Sequence, residues 1–330
     1  MRVVAAVDKF RGTATAAEVA AAIGHACWEL GHDCVEIAVA DGGEGILDAL
    51  GGPNRTTTVT GPLGDPVDAP WRLHRRVAVI EMALASGLSL AGGAESNDPM
   101  AASTTGVGEL IDRALDLSAE RIVVGLGGSA TTDGGLGAIR AITAPHRLRG
   151  VELLVACDVT TRFTDAARVF GPQKGASPAQ VELLTRRLER LADVYREQYG
   201  VDITDLPGSG AAGGLAGGLA ALGGRLLPGF DLVADELDLD EHIEGADLVI
   251  TAEGHLDAQS FAGKVVGGVA AIAASHGVPC AVVCGIVDAD VADRLPTRSL
   301  VGDHGEALAL GEPLMSIEKS ASALIAELLG

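Results

Sequence analysis

Residues 125–137 read GLGGSATTDGGLG, and they follow the apolar run RIVVG at 121–125. This order predicts a β-strand, a tight turn and the start of a helix. Glycines let the backbone approach a ligand closely, and free N–H groups at a helix start bind anions. Ser129 and Thr131 add hydroxyls, and Asp133 adds a carboxylate at a predicted helix N-cap. Two interpretations follow: a capped βα turn, or a phosphate-binding loop beside Mg²⁺.

Three further segments repeat parts of this chemistry. Ala40–Gly45 (ADGGEG) and Thr251–Asp257 (TAEGHLD) each follow a strand-like run, and Gly208–Gly218 (GSGAAGGLAGG) is equally small and rich in donors but has no acid. All three are predicted as loops. Open α/β sheets build their sites in loops at the carboxyl ends of parallel strands. Four such loops in one chain favour phosphate and metal chemistry over four unrelated turns.

The composition limits the class of protein. The chain has 330 residues, and a prior of roughly 150 residues per domain predicts two domains. The net charge of −21 argues against nucleic acid or an anionic membrane as a partner, because both attract basic surfaces. The five cysteines lie mostly in apolar runs, which predicts buried free thiols rather than a zinc site. We recognise no signal peptide and no bilayer-length apolar run, so a cytoplasmic protein is expected.

The order of the predicted elements indicates the architecture. Short β-branched runs alternate with alanine-rich helical segments along most of the chain, which is typical of parallel α/β folds. Residues 56–82 break this rhythm with short, turn-punctuated runs and predict antiparallel hairpins. We therefore predict an α/β protein of two domains, with largely parallel sheets flanked by helices and one domain inserted into the other. The predicted domains are residues 1–57 with 244–330, and the inserted residues 58–243.

A set of motifs in a fixed order connects the chain to a known family. They are DKFRGT at 8–13, ADGGEG at 40–45, TGPLG at 60–64, IEMA at 80–83, GGSATTDGG at 127–135, FGPQKGA at 170–176, and the glycine-rich segments 208–218 and 252–264. With these motifs the chain resembles bacterial glycerate kinases nearly end to end. The resemblance implies two α/β domains, ATP and Mg²⁺ as cofactors, and phosphorylation of D-glycerate, in many members at the 2-hydroxyl.

Some positions depart from the usual pattern of that family. Arg11 replaces a usual Lys, Thr132 a usual Asn, and His255 a usual Arg. Arg11 keeps a positive charge in planar form, whereas His255 is charged only in part near neutral pH. Two alternatives to a glycerate kinase therefore stay open. One is a kinase for a related small hydroxy acid, and the other is a non-catalytic paralogue that binds nucleotide or hydroxy acid.

Phosphoryl transfer needs cations and donors around the phosphates, a metal held by carboxylates, and an acid–base group at the acceptor. Asp8 or Asp41 is predicted to accept the hydroxyl proton, and Arg11 to hold a carboxylate or phosphate. The predicted catalytic residues are Asp8, Arg11, Asp41 and Lys174. The predicted ATP-binding residues are Gly127, Gly128, Ser129, Thr131, Gly213, Gly214, Glu253 and Lys264, and the predicted metal ligands are Asp133 and Asp158. The expected partners are ATP and a small hydroxy acid, glycerate or a related one. A homodimer is the oligomeric state that we consider.

Overall fold

The computed structural model describes all 330 residues. Its strands are β1 (Arg2–Val7), β2 (Asp33–Ala38), β3 (Arg55–Thr60), β4 (Pro66–His74), β5 (Val77–Glu81), β6 (Arg121–Gly125), β7 (Glu152–Ala156), β8 (Arg225–Leu227), β9 (Leu248–Leu256), β10 (Cys280–Val287) and β11 (Thr297–Ser299). The strands form two sheets flanked by helices, so the predicted α/β class is confirmed.

The α-helices vary in length from single turns to one long surface helix. They are α1 (Ala16–Glu29), α2 (Ile46–Ala49), α3 (Ala83–Ser86), α4 (Thr105–Asp116), α5 (Leu136–Ala141), α6 (Ala166–Phe170), α7 (Pro178–Tyr199), α8 (Ala211–Ala221), α9 (Gly229–Glu236), α10 (Leu239–Ile243), α11 (Val265–Ser275), α12 (Leu300–His304), α13 (Glu306–Gly311) and α14 (Pro313–Leu329). None of them combines the length and the apolar character that crossing a lipid bilayer requires.

The chain divides into two compact units. The first unit comprises residues 1–41 and 230–330, and the second unit comprises residues 42–229. The domain boundaries predicted from the sequence, at 57/58 and 243/244, stay a prediction. Strand β3 belongs to the sheet of the second unit.

The first unit contains a sheet of five strands in the order β11-β10-β9-β1-β2, all parallel. It joins the two ends of the chain, because Val3 pairs with Leu248 and Ala5 with Ile250. Helix α1 begins at a capping box in which Thr15 and Glu18 satisfy each other's backbone N–H groups. The carboxyl ends of β9, β1 and β2 are neighbours in this sheet, which is where side chains for a site can gather.

The second unit contains a six-stranded sheet in the order β3-β4-β5-β6-β7-β8. Strands β3, β4 and β5 pair antiparallel, as the turn-punctuated stretch 56–82 predicts, and β5 to β8 are parallel. Trp71 of β4 is buried in the core and donates its indole N–H to the Thr57 hydroxyl at 2.9 Å. The carboxyl ends of β5, β6 and β7 therefore lie side by side in this unit.

Two of the predicted loops are wrong. Residues 251–257 were expected as a loop, but β9 continues to Leu256, since Glu253 pairs with Cys284 and His255 with Ile286. The segment 208–218 is only briefly a loop, because α8 begins at Ala211 and contains three left-handed residues at 212–214. In both cases a distant element, β10 or the loop after β6, supplies contacts that the local sequence does not reveal.

Candidate active site

Three carboxylates gather at the carboxyl end of the first sheet. Asp8 directly follows β1, Asp41 lies beyond the end of β2, and Glu253 lies within β9. The Asp8 N–H donates to the carbonyl of Ala252 at 2.9 Å, which ties the end of β1 to β9. Asp8, Asp41 and Glu253, predicted from separate motifs, are thus brought together by the order of the strands.

Burial and mutual repulsion hold protons on this group. Burial raises the pKa of Asp8 to about 6, and the Asp41 carboxylate adds to the rise. Burial also raises the pKa of Glu253 to about 7, with a further contribution from Asp8. The buried Glu253 Oε1 accepts no hydrogen bond. Carboxyls that exchange protons near neutral pH, with an unused acceptor beside them, are suited to acid–base work or to holding a cation.

The basic residues of the first unit differ in how close they lie to these carboxylates. Lys264 precedes α11 as its N-cap residue, and its positive charge opposes the rise in pKa at both Asp8 and Glu253. Arg11 is exposed on the turn after β1. Lys264 thus belongs to the carboxylate group electrostatically, whereas the Arg11 guanidinium faces solvent.

His255, which replaces an Arg usual in the resembled family, is held by an acid. Its Nε2 lies 2.8 Å from Oδ1 of Asp288. This hydrogen bond raises the pKa of His255, and the negative charge of Asp257 adds to the effect. The imidazole therefore keeps its positive charge to a higher pH than an isolated histidine would.

In the second unit, the loop after β6 carries a row of backbone N–H groups that donate to no backbone carbonyl. They are the N–H groups of Gly127, Gly128 and Ser129. Gly128 has φ of +58°, a conformation that favours glycine. A Cβ at Gly127 would lie 2.8 Å from the backbone nitrogen of Glu44. Consecutive free N–H groups in such a turn form a concave site for phosphate oxygens.

The rest of this loop is held by a hydrogen bond within the loop and by close packing against α8. The hydroxyls of Ser129 and Thr131 lie 3.0 Å apart and bond to each other. Gly213 lies directly against the Thr131 carbonyl, and a Cβ at Gly214 would lie 2.8 Å from Cα of Gly134. Both glycines are buried. Gly213 and Gly214, predicted to bind the cofactor, thus lie beneath the loop and let it pack closely on α8.

Asp133 is surrounded by donors of the chain itself. Its Oδ2 accepts from the N–H and the hydroxyl of Thr104, both at 2.9 Å, and from the N–H of Gly137 at 3.1 Å. Its Oδ1 accepts from the N–H of Gly135 at 3.0 Å. The N-cap residue of α5 is Gly135, not Asp133 as predicted, although the carboxylate still serves the first turn. This carboxylate is engaged in holding the loop and α5 together.

Lys174 is buried, with 3% of its surface exposed, and its Nζ donates to the Thr131 carbonyl at 2.6 Å. Burial lowers its pKa to about 7, although the Asp133 charge acts in the opposite direction. Asn97 donates its side-chain amide to the carbonyls of Lys174 and Ala130, at 2.9 and 3.0 Å. Lys174 is therefore a support of the glycine loop from inside the second unit, with its ammonium turned toward the protein.

Asp158 lies two residues beyond the end of β7 and is exposed, and its Oδ1 accepts from the N–H of Gly229 at 3.1 Å.

One buried acid of the second unit was not singled out from the sequence. Glu81, at the end of β5, is buried, and its Oε2 accepts from the N–H groups of Gly45 and Leu47 at 3.0 and 3.3 Å. The signal that could have found it is a lone acid closing the apolar strand VAVIE.

Comparisons with known proteins agree over most of the chain. The model of the glycerate kinase family matches residues 3–146 and 142–301. The chain is 40% identical over 331 residues to a glycerate 2-kinase of Escherichia coli (strain K12), covering 88% of this chain and 87% of that protein. It is 38% identical over 330 residues to a glycerate kinase of Bacillus subtilis (strain 168), covering 88% and 86%. A crystal structure of a protein provisionally named glycerate kinase 2, from Salmonella typhimurium LT2, superposes with a TM-score of 0.86 at 35% identity, covering 100% of this chain and 98% of that one.

Proposed function

Since the chain belongs to the glycerate kinase family, we propose that it transfers the γ-phosphoryl group of ATP to the 2-hydroxyl of D-glycerate. Kinase activity, glycerate as acceptor and the use of ATP follow from the family and its relatives. The D isomer, the 2-hydroxyl and the roles of individual residues are our inference. The product would be 2-phosphoglycerate, with ADP as the second product.

The observation that carries the mechanism is the raised pKa of Asp8 beside Asp41 and Glu253. In the proposed step the 2-hydroxyl oxygen attacks the γ-phosphorus, and the bond from that phosphorus to the β–γ bridging oxygen breaks. The hydroxyl proton passes to the Asp8 carboxylate. A base whose pKa lies near the working pH is the most effective proton acceptor. Asp41 stays the alternative acceptor, and its charge helps to keep Asp8 basic.

The phosphates of ATP are proposed to bind to backbone N–H groups and to basic side chains. The free N–H groups of Gly127, Gly128 and Ser129 support a phosphate site on the second unit. Arg11, exposed on the first unit, supports a contact to the glycerate carboxylate or to a phosphate. Lys264 supplies positive charge next to the carboxylate group. In this proposal Lys174, Gly213 and Gly214 act through the loop they support.

Mg²⁺ is the proposed metal, and the chain's carboxylates differ in how well they fit it. Carboxylate oxygens and phosphates are its usual ligands, and Glu253 offers a buried oxygen with no partner. The oxygens of Asp133 already accept several hydrogen bonds. Glu253 and Asp41 of the first unit would therefore hold the ion, and Asp133 would anchor the loop after β6. The metal-binding role of the exposed Asp158, on the second unit, stays a separate prediction. When bound, the ion would neutralise charge on the transferred phosphoryl group.

The proposal also covers the cellular compartment, the partners and the oligomeric state of the protein. We place the enzyme in the cytoplasm, because the reaction draws on a cytoplasmic pool of ATP. A net charge of −21 supports small-molecule partners and no nucleic acid. A homodimer is a proposal that sedimentation of the purified protein can test.

Release of ADP with a panel of acids tests the function directly. D-glycerate, L-glycerate, glycolate and D-lactate are each supplied with ATP and Mg²⁺, and the phosphorylated product is identified by NMR. We expect the fastest turnover with D-glycerate, 2-phosphoglycerate as product, and loss of turnover with a chelator. Formation of 3-phosphoglycerate would contradict the proposed position. Turnover with another acid alone would favour the related-acid kinase, and binding without turnover the non-catalytic paralogue.

A further inference from the structure

The residues just before α2 lie directly on the loop after β6, within the second unit. A Cβ at Gly127 would lie 2.8 Å from the backbone nitrogen of Glu44 and 3.0 Å from Cα of Gly43. A Cβ at Gly125 would lie 3.0 Å from the carbonyl oxygen of Gly42. These spacings leave no room for a side chain. The two segments are therefore in backbone contact, and glycine is the residue that fits between them.

The side chain of Glu44 lies on the same loop. Its Oε1 lies against Gly128, where a Cβ would overlap it. The residue is exposed to solvent. Gly127, Gly128 and Ser129 are the residues whose N–H groups donate to no backbone carbonyl. A solvent-accessible carboxylate therefore lies beside the proposed phosphate site.

Glu81 fixes the segment that carries this carboxylate. Its buried Oε2 accepts from the N–H groups of Gly45 and Leu47, at 3.0 and 3.3 Å. Glu81 ends β5, which pairs with β6, the strand that leads into the loop. Because Glu44 immediately precedes Gly45, its backbone is held in place relative to the loop. The Glu44 carboxylate can leave the loop only by rotation of its own side chain.

A fixed negative charge at this place acts on any phosphate that binds the loop. Metal-free ATP carries several negative charges on its phosphates, and a nearby carboxylate repels them. A divalent cation bound to the phosphates cancels much of their charge, so the repulsion falls. The Glu44 carboxylate therefore disfavours the metal-free nucleotide more than the metal-bound one.

We propose that Glu44 is a specificity-determining residue that makes the loop after β6 select magnesium-bound ATP over metal-free ATP. This inference rests on the proposed function, in which that loop binds the phosphates of ATP. Glu44 acts through its charge and is not required to ligate the ion. The roles proposed above for Glu253 and Asp41 are therefore unchanged.

Nucleotide binding in the absence of an acceptor acid tests the proposal without turnover. Isothermal titration calorimetry of the full-length enzyme gives the Kd for ATP with excess Mg²⁺ and for ATP with EDTA. We expect the wild type to bind magnesium-bound ATP at least about tenfold more tightly than metal-free ATP, as expected for a charge close to the phosphates. Glu44→Gln should bind metal-free ATP about tenfold more tightly than the wild type does, with a smaller change for magnesium-bound ATP.

Asp48→Asn is the matched control. Asp48 is exposed on α2, one turn beyond Glu44, and the variant loses the same unit of charge. Both substitutions exchange an exposed carboxylate for an amide of the same shape, so the fold is kept. We expect Asp48→Asn to keep the wild-type ratio of the two Kd values, because a distant exposed charge is screened by salt.

The outcomes separate this inference from the function on which it rests. If the wild type binds ATP but Glu44→Gln binds metal-free ATP no more tightly, the inference is overturned and the kinase function stands. The same holds if Asp48→Asn changes the ratio of the Kd values as much as Glu44→Gln does. If the wild type binds neither form of ATP, both the inference and the proposed function are overturned.

Discussion

Both units have carboxylates near the carboxyl ends of parallel strands, but the burial and the hydrogen bonds of these carboxylates differ. In the first unit, Asp8 and Glu253 crowd together, and burial raises the pKa of both. In the second unit, Asp133 accepts four hydrogen bonds of 2.9 to 3.1 Å from the N–H groups and the hydroxyl around it. Carboxylates at similar topological positions thus have different roles in the two units. In the first unit the carboxyls have raised pKa values, and Glu253 has an oxygen without a hydrogen-bond partner. In the second unit the hydrogen bonds of Asp133 hold the loop after β6 in place.

The largest effect is expected for Asp8→Asn. The amide cannot accept the hydroxyl proton, so kcat should fall by about 100- to 10,000-fold, the usual contribution of a general base. The stability should not fall, because the carboxylate is unfavourable where it is buried. Turnover and thermal unfolding of the variant and the wild type, measured side by side, check both points. A kcat close to that of the wild type would make Asp41 the base.

Asp133→Asn should act on stability in the opposite direction. The amide nitrogen replaces one of the two oxygens with a donor, which then faces either the N–H of Gly135 or the N–H groups of Thr104 and Gly137. We expect a loss of about 3–5 kcal/mol in the free energy of unfolding, typical of breaking a satisfied charged network. Urea denaturation measures this loss. Unchanged stability together with a weakened dependence on Mg²⁺ would restore Asp133 as the metal ligand.

The close packing beneath the glycine loop can be broken with Gly213→Ala. The new methyl group would collide with the Thr131 carbonyl, at a residue whose φ is +66°. The combined cost of strain and overpacking is about 2–4 kcal/mol. Gly223→Ala is the control, because φ there is +96° and a Cβ would meet nothing within 4 Å. Equal destabilisation of the two variants would show that packing on the loop is unimportant.

The smallest effect is expected for Lys174→Met. The pKa of this lysine is about 7 in the folded protein against 10.5 as its ordinary value. The unfolded chain therefore binds more protons between these values, and the wild type gains stability as the pH rises through this window. The variant should lack this gain. At pH 7 it should be about 1 kcal/mol more stable, since relief of burial exceeds the lost hydrogen bond. Denaturation at pH 7, 8.5 and 10 measures the slope, and equal slopes would contradict the burial argument.

The sequence predicted most of the strands and the long helices closely, because their apolar patterns are local. The apolar run at 152–156 predicts strand β7 with its exact ends, and the helical spacing of apolar residues over 178–198 predicts α7 to within one residue. Glu253 was misplaced in a loop, because the extension of β9 depends on β10, about thirty residues further along the chain. The role of Asp133 depends on Thr104, in a different segment. Site residues could therefore be listed from motifs, but their burial and hydrogen bonds come from long-range packing.

The most direct test of the contrast between the two units compares Glu253→Gln with Asp133→Asn at a temperature at which both variants are folded. Turnover with D-glycerate, ATP and Mg²⁺ at pH 8 is measured for each, with thermal unfolding recorded on the same samples. We predict that Glu253→Gln unfolds no earlier than the wild type but loses most of its turnover. Asp133→Asn should unfold earlier but keep the larger share of turnover. An active Glu253→Gln beside a stable, inactive Asp133→Asn would contradict the assignment of chemistry to the first unit.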